Sequence, residues 1–303
     1  MSLDADIRID RQSLKRKLAF WRVLAVLALL AVLLVAGGWG LDPLRGPYIA
    51  RIDVTGVIVE DRERDTVLQE IAANDQVRAV LVYIDSPGGT MVGGETLYKG
   101  LRAIAEKKPV VAVLGTVAAS GGYMTAIAAD YIVAREGTIT GSIGVIFQTA
   151  EITSLLKKLG VETTAIKSAP LKASPSPLEK LTPQARKATQ ILVDDMFELF
   201  IDMVADRRGL DRGTVRTLAD GRVYTGRQAK AKKLVDALGG EGEARQWLET
   251  VRGVDPELPV RDVVVHPEDL LWRRAGTAIF GKAVFSERLT LDGLVSLWHP
   301  ERP

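Results

Sequence analysis

The chain of 303 residues contains no cysteine, only two histidines, and few aromatic residues, which make up 6% of the total. The absence of cysteine excludes disulfides, zinc-thiolate sites and a cysteine nucleophile, while it leaves the cellular compartment open. The two histidines, His266 and His299, both lie near the C-terminus. We therefore expect any chemistry in the middle of the chain to proceed without histidine.

The chain also lacks a strong charge of either sign, because 40 basic and 38 acidic residues leave a formal net charge of +2. This balance, without a basic patch interleaved with aromatic residues, does not indicate nucleic-acid binding. Hydrophobic residues make up 47% of the chain, which is enough for a globular core. The length allows one large domain or two modest ones.

One long apolar run lies near the N-terminus. Residues 23–41 form a stretch of 19 residues without a charge, which as a helix would be about 28 Å long and close to the hydrocarbon thickness of a bilayer. Trp21 and Trp39 flank it, as in an aromatic belt. We expect a transmembrane anchor at 23–41, a basic leader at 1–22 and a linker at 42–47.

The charges around this run predict its orientation. The residues that precede it are basic at Arg8, Arg11, Lys15, Arg16, Lys17 and Arg22. Only Arg45 is basic shortly after it, so the positive-inside rule places the N-terminus in the cytoplasm and the bulk of the protein outside it. A cleaved signal peptide is the alternative, but the long leader and long apolar run favour an uncleaved anchor.

Strand-like and helix-like patterns alternate after the linker. This alternation predicts an α/β fold of stacked β-α-β units around a mostly parallel sheet, in a domain at 48–253. Residues 254–303 are expected to be a C-terminal extension that packs on the domain or contacts another subunit. The predicted strands lie within 46–59, 77–89, 109–122, 130–146 and 161–168. The predicted helices are 65–75, 93–108, 153–160, 182–208 (with Thr182 as N-cap), 224–240 and 241–253.

Three glycine-rich segments follow predicted strands: "DSPGG" at Asp85–Gly89, "AASGG" at Ala118–Gly122 and "TGSIG" at Thr140–Gly144. In an open α/β sheet, ligands bind beyond the carboxyl ends of the strands. Glycine leaves backbone N–H groups unshielded, so that they can point at a developing oxyanion. Each segment alone is also compatible with an ordinary turn.

Ser120 lies at a predicted strand-to-helix turn among these glycines. Alone, it could be a helix N-cap. As a nucleophile it would need a base to take its proton. No histidine lies nearby, whereas "KSAPLKASPSP" carries Lys167 and Lys172 among apolar and small residues. Because desolvation favours a neutral lysine amine, these residues indicate the Ser-Lys variant of nucleophilic catalysis.

Five segments together resemble the signal peptide peptidase A family, in the family's order and over roughly residues 47–240. The segments are "YIDSPGG", "VAASGGY", "TGSIGV", "KSAPLKASPSP" and "LADGRVYTGRQAKAKKLVDALGG". Members of this family are membrane-anchored bacterial Ser-Lys endopeptidases with the Clp protease/crotonase-like fold. The resemblance therefore implies a bacterial inner-membrane protein with its catalytic domain on the extracytoplasmic side.

The resemblance also implies a role for individual residues. Ser120 matches the nucleophile, Lys172 the general base, and Ser142 a serine that orients the lysine amine. The oxyanion donors match Gly88 or Gly89 together with Gly121. One departure is Ala169, beside Pro170, where the family usually has glycine; it lies in the loop of Lys172 and leaves Lys167 as a second candidate for the base.

The assembly and the substrate are implied in the same way. The single module matches the short form of the family, which forms a dome-shaped homo-oligomeric ring in which serine and lysine can come from neighbouring subunits. The implied substrates are remnant signal peptides or other apolar peptides, and no metal or cofactor is required. Three alternatives stay open: a crotonase-type acyl-CoA enzyme, a non-catalytic membrane scaffold, and a related membrane peptidase that acts on a stomatin-like protein.

Overall fold

The computed structural model describes residues 17–30, 46–263 and 294–297, the last by their backbone. The chain divides into two units, Met1–Gly46 and Pro47–Pro303. In the first unit, residues 17–30 form helix α1. The part of the expected anchor at 31–41 lies outside the described residues. Among those that are described, no helix is both long and apolar enough to span a bilayer, so the anchor stays a prediction.

The second unit alternates strands and helices along the chain. The strands are β1 (Tyr48–Ile58), β2 (Val77–Thr90), β3 (Val110–Ala119), β4 (Tyr131–Ala134), β5 (Ile139–Gly141), β6 (Ile146–Phe147), β7 (Val223–Thr225), β8 (Ala237–Leu238), β9 (Val260–Val263) and β10 (Leu294–Leu297). The helices are α2 (Arg62–Ala73), α3 (Met91–Ala105), α4 (Gly121–Ala126), α5 (Thr153–Lys158), α6 (Pro183–Arg208), α7 (Arg212–Leu218), α8 (Gly226–Ala231) and α9 (Glu241–Arg252).

These strands form one mostly parallel sheet, which confirms the predicted fold class. β2 lies parallel to β1 on one side and β3 on the other, and parallel pairing continues from β3 to β4 and from β4 to β8. β3 pairs with β2 only as far as Ser86, and β10 then pairs antiparallel with Gly88–Thr90. The strand that pairs with β2 on this side therefore changes from β3 to β10 near the point where β3 ends and α4 begins.

The core explains why the central strands are apolar at almost every position. Val80, Val82 and Ile84 of β2 pack into a core that α3, α4 and α6 close, while Ala79 and Leu81 point into a second core beneath α9. Both faces of the sheet are covered, so neither face requires polar side chains. This arrangement places the carboxyl ends of β2 and β3 at a common edge of the sheet.

Helix boundaries follow from local capping. Asp61 accepts hydrogen bonds from the backbone N–H groups of Glu63 and Arg64, so α2 begins earlier than predicted. Thr182 caps α6 through the N–H of Ala185, with Pro183 in the first turn, which confirms the predicted start of the long helix.

Two predicted elements are wrong. Residues 161–168, expected to be a strand, have no regular structure and are mostly exposed, because none of the described strands pairs with them. The helix expected at 224–240 is limited to α8 in Gly226–Ala231. Lys233 then adopts a positive φ of 60°. The carboxylate of Asp236 accepts from the N–H of Ile132 in β4, and the N–H of Asp236 donates to the carbonyl of Ile132. The chain therefore forms β8 where further helical turns were expected.

Candidate active site

Ser120 occupies the junction between β3 and α4 with a strained backbone. Its φ of 55° and ψ of −118° are close to the first central position of a type II′ turn, which glycine normally occupies. Its N–H donates to the carbonyl of Gly141 at 2.8 Å, and its carbonyl accepts from the N–H of Met124. A non-glycine residue held in such a conformation costs about 1–3 kcal/mol and is a frequent feature of active sites.

The side chain of Ser120 does not cap α4, although Ser120 lies at the N-cap position and is 2% exposed. The capping role that the sequence left open is therefore absent. Helix α4 has six residues, and the positive end of its dipole consists of the N–H groups of its first turn. Tyr123 is not a base for Ser120, because its buried hydroxyl donates to the carbonyl of Leu234 and burial raises its pKa.

The structure brings the first two glycine-rich segments together. A Cβ atom placed on Gly121 would lie 3.1 Å from the backbone nitrogen of Gly89 and 3.3 Å from the Cα of Gly88. A Cβ on Gly89 would lie 1.7 Å from the carbonyl oxygen of Ile58. Only glycine fits at either position without displacing backbone. The Ser120–Gly121 turn and the end of β2 thus line one site.

The two oxyanion candidates on β2 differ in their hydrogen bonding. The N–H of Gly88 donates to the hydroxyl oxygen of Ser86 at 3.1 Å, so it already has a partner within the protein. Gly89 is the glycine whose nitrogen lies beside Gly121. On this nearness we take Gly89 with Gly121 as the candidate donors to a developing oxyanion, and Gly88 as the alternative.

Replacing Gly121 by alanine is expected to reduce kcat for peptide hydrolysis by about tenfold or more, because the methyl group would press on the Gly88–Gly89 backbone, and small misplacements at a reacting centre are costly. Steady-state kinetics on a fluorogenic peptide measure the change. Gly242→Ala is the matched control, since its Cβ would enter open space on α9. A Gly121→Ala protein with the kcat of this control would contradict the assignment.

Ser142 lies close to Ser120 through the backbone. It follows Gly141, whose carbonyl accepts from the N–H of Ser120, and its own N–H donates to the carbonyl of Arg222. Ser142 is 9% exposed and has a φ of 49°. The third glycine-rich segment therefore adjoins the other two, while the orienting role of Ser142 stays a prediction.

Lys172 lies in the irregular segment between α5 and α6. Its N–H donates to the carbonyl of Ala169, so the departure at Ala169 and Pro170 forms part of a turn. Its side chain is exposed, and it makes no hydrogen bond or ion pair with Ser120, Ser142 or another described residue. The described residues thus do not form the apolar environment expected around a lysine base at Lys172.

Lys167, the second candidate for the base, is already engaged. Its amine forms an ion pair with Glu179 and a hydrogen bond with the hydroxyl of Ser174 at 3.2 Å. These bonds close the 167–179 part of the loop and use two of the three donors of the ammonium group. The structure gives Lys167 a role in holding this loop rather than in accepting a proton from Ser120.

Sequence reasoning missed two residues that shape the site. The carboxylate of Asp85 accepts from the N–H of Val117 at 2.9 Å, where β3 departs from its register with β2. Ser86 is fully buried and bonds to two backbone segments. Both stand in the "DSPGG" segment, but the sequence gives no sign that their side chains bridge to other strands.

Comparison with known proteins agrees with these features. Residues 102–255 match the profile of "Peptidase family S49", and residues 50–152 match that of "Clp protease". A Synechocystis sp. protein named as a candidate protease is 42% identical over 230 residues, which cover 75% of this chain and 83% of that protein.

Two further relatives carry more specific names. A candidate signal peptide peptidase SppA of Enterococcus faecium is 35% identical over 214 residues, covering 66% of this chain and 62% of the relative. "Serine protease SPPA, chloroplastic" of Arabidopsis thaliana is 30% identical over 217 residues, covering 70% and 31% respectively. This chain therefore spans less than two thirds of the length of these two relatives.

The match to the S49 profile covers about half of the chain and includes Ser120, Ser142 and Lys172. The Clp protease profile covers the first strands of the sheet and the glycine-rich segments, in agreement with the mostly parallel α/β architecture. The chain is a serine protease with a Clp protease-like fold, and it belongs to peptidase family S49, the signal peptide peptidase A family.

Proposed function

We propose that this chain is a membrane-anchored serine endopeptidase of the bacterial inner membrane that degrades remnant signal peptides on the extracytoplasmic side. The observation that carries the proposal is Ser120, which is buried and strained beside Gly121 and Gly89 and does not cap its helix. The predicted anchor supports it, because an anchor would hold the catalytic unit at the bilayer where apolar peptides reside.

The proposed mechanism uses a Ser-Lys dyad. The neutral amine of Lys172 removes the proton of the Ser120 hydroxyl, whose oxygen attacks the carbonyl carbon of the peptide bond. The N–H groups of Gly89 and Gly121 stabilise the resulting oxyanion. The Lys172 ammonium returns the proton to the leaving amine, and water then hydrolyses the acyl-enzyme to release the second product.

The edge of β2 supports a peptide substrate. β10 pairs antiparallel with Gly88–Thr90 on one side and with Ile146–Phe147 of β6 on the other. This edge thus accepts an extended segment as an additional strand, directly beside the candidate oxyanion donors. Peptides commonly bind proteins by adding a strand to a sheet, and a substrate that replaced β10 would present its main chain to Ser120.

A cavity beside β6 offers room for side chains of a bound peptide. It has a volume of about 330 Å³ and lies between β6, the chain around Pro175 and the first half of α6. Its lining is mixed: Val145, Phe147, Leu181 and Val193 are apolar, whereas Thr149, Arg186, Thr189 and Gln190 are polar. Apolar side chains of a peptide held along β6 would be desolvated against the apolar part of this lining.

An assembly of several copies would complete the site. Lys172 is exposed in the single chain, whereas a lysine base requires desolvation. Large apolar side chains are exposed on the same segment and on its neighbours α5 and α6: Leu155, Leu159, Val161, Ile166, Leu171, Leu178 and Ile191. Burying this surface against a second copy would enclose Lys172, in agreement with a ring in which serine and lysine belong to neighbouring subunits.

The substrate preference is tested with the full chain in detergent and a set of peptides of equal length. Apolar, signal-peptide-like sequences are expected to be cleaved with at least about tenfold higher kcat/KM than charged ones, since each additional buried apolar group contributes about 1–3 kcal/mol. The Ser120→Ala protein is the control for contaminating proteases. Equal cleavage of charged and apolar peptides would contradict the proposed substrate class.

The acyl-CoA alternative requires a carboxylate base next to the glycine N–H groups. The carboxylate within the "DSPGG" segment, Asp85, instead accepts from the N–H of Val117 and shapes β3. Turnover of an acyl-CoA by the Ser120→Ala protein would favour this alternative. A peptidase that acts on a stomatin-like protein shares the proposed chemistry, and it would be recognised by cleavage of such a protein in preference to signal peptides.

A further inference from the structure

Ser86 links three backbone segments around the candidate site. It is fully buried in β2, and its hydroxyl donates to the carbonyl of Gly56 in β1 at 2.6 Å. The same hydroxyl oxygen accepts from the N–H of Gly88 at 3.1 Å. The carbonyl oxygen of Ser86 lies 2.7 Å from the position of a Cβ on Gly122, so β2 packs directly against the turn that carries Ser120.

Both partners of the hydroxyl are glycines whose backbone has a positive φ. Gly56 has a φ of 71° and lies at a register shift between β1 and β2, and Gly88 has a φ of 112°. Glycine is conformationally permissive, so the sequence of these segments does not by itself fix their geometry. Strand pairing constrains Gly88 on both sides, and the hydroxyl of Ser86 adds a constraint because it joins both glycines at one oxygen.

We propose that Ser86 is a positioning residue for the oxyanion site. Its bond to the N–H of Gly88 holds the Gly88–Gly89 segment in place, so that the nitrogen of Gly89 stays beside Gly121. Ser86 acts through the backbone and does not touch the substrate. This inference rests on the proposed function, since it concerns the donors that stabilise the transition state of peptide hydrolysis.

Thr138 offers a matched comparison. It is 2% exposed, and its hydroxyl donates to the carbonyl of Gly115 at 2.7 Å and accepts from the N–H of Arg135 at 3.1 Å. Ser86 and Thr138 thus make the same pair of backbone bonds with similar burial. Removal of the Ser86 hydroxyl takes a partner from the buried N–H of Gly88, and removal of the Thr138 hydroxyl takes one from the buried carbonyl of Gly115. Loss of such a bond costs about 1–3 kcal/mol. Of these two hydroxyls, the one that bonds to the Gly88–Gly89 segment is that of Ser86.

The test compares Ser86→Ala with Thr138→Ala in the full chain. Both are expected to lower the melting temperature by several °C. Ser86→Ala is also expected to lower kcat for peptide hydrolysis by about 10–100-fold with KM within about threefold, while Thr138→Ala keeps its kcat. If Ser86→Ala does not fold, Ser86→Cys keeps the shape and weakens both bonds, and the same criterion applies to it.

A peptide boronic acid gives a second measurement, because its tetrahedral adduct with Ser120 places an oxygen where the oxyanion forms. Its affinity should fall in Ser86→Ala by the same factor as kcat, while an unreactive peptide binds the Ser86→Ala/Ser120→Ala and Ser120→Ala proteins alike. Equal kcat for the Ser86→Ala and Thr138→Ala proteins, or an unchanged boronate affinity, would overturn the inference. A wild-type chain without peptidase activity would instead refute the proposed function.

Discussion

Replacing Ser120 by glycine is expected to abolish peptide hydrolysis and at the same time to stabilise the fold relative to the alanine variant. Loss of the nucleophile should reduce kcat by about 1,000-fold or more. Glycine relieves the strain of a φ of 55°, which should stabilise the folded state by about 1–3 kcal/mol. Its greater conformational freedom in the unfolded chain lowers the folding stability by about 0.4–1 kcal/mol.

Ser120→Ala is the matched control for the stability effect. It removes the same hydroxyl but keeps a Cβ in the strained conformation, so the difference between the two variants isolates the strain. Thermal unfolding should give Ser120→Gly a melting temperature a few °C above that of Ser120→Ala. An alanine variant at least as stable as the glycine variant would show that Ser120 does not store strain. Hydrolysis close to the wild-type rate in both would show that Ser120 is not the nucleophile.

The second large effect is expected at Lys172. Lys172→Ala should lower kcat by about 1,000-fold or more, because the Ser120 hydroxyl is a weak nucleophile without a base. Lys167→Ala removes the same ammonium group from the same loop, and it is the matched control. Since Lys167 is held by Glu179 and Ser174, its loss should loosen the loop and lower kcat by no more than about tenfold. A larger loss of kcat in Lys167→Ala than in Lys172→Ala would assign the base to Lys167.

Mixing inactive subunits tests whether the dyad is shared between chains. Because Lys172 is exposed within one chain, a mixed assembly of Ser120→Ala and Lys172→Ala subunits should recover measurable hydrolysis. In such an assembly an intact Ser120 can face an intact Lys172 of the neighbouring subunit. Assemblies that contain only one of the two variants are the control. No recovery from a mixed assembly that is shown to contain both variants would contradict a shared dyad.

The sequence predicts the fold well where packing leaves a periodic pattern. The apolar runs of β2 and β3 and the capped start of α6 are visible in the chain, because burial on two faces and N-capping both require particular residue types. The strand expected at 161–168 fails, because alternating residues make a strand only when an edge is available to pair with. The helix expected at 224–240 fails because Asp236 bonds to β4 across more than 100 residues of sequence.

The candidate site was likewise predictable from the sequence only in part. Ser120 and the three glycine-rich segments are recognisable in sequence, since nucleophiles and close backbone approaches demand these residue types. The choice between Gly88 and Gly89 is not, because it depends on the hydroxyl of Ser86 reaching the N–H of Gly88. The choice between Lys167 and Lys172 likewise depends on Glu179, 12 residues away from Lys167 in the chain. These are side-chain contacts that spacing alone does not encode.

The most direct test of the Ser120–Lys172 assignment is covalent labelling of the full chain with a fluorophosphonate, followed by peptide mapping by mass spectrometry. A fluorophosphonate reacts with a serine hydroxyl that a base activates. We predict one adduct, on the peptide that contains Ser120, in the wild-type and Lys167→Ala proteins, and none in Lys172→Ala. Equal labelling of Ser120 in the Lys172→Ala protein, or an adduct on a different serine, would contradict the assignment.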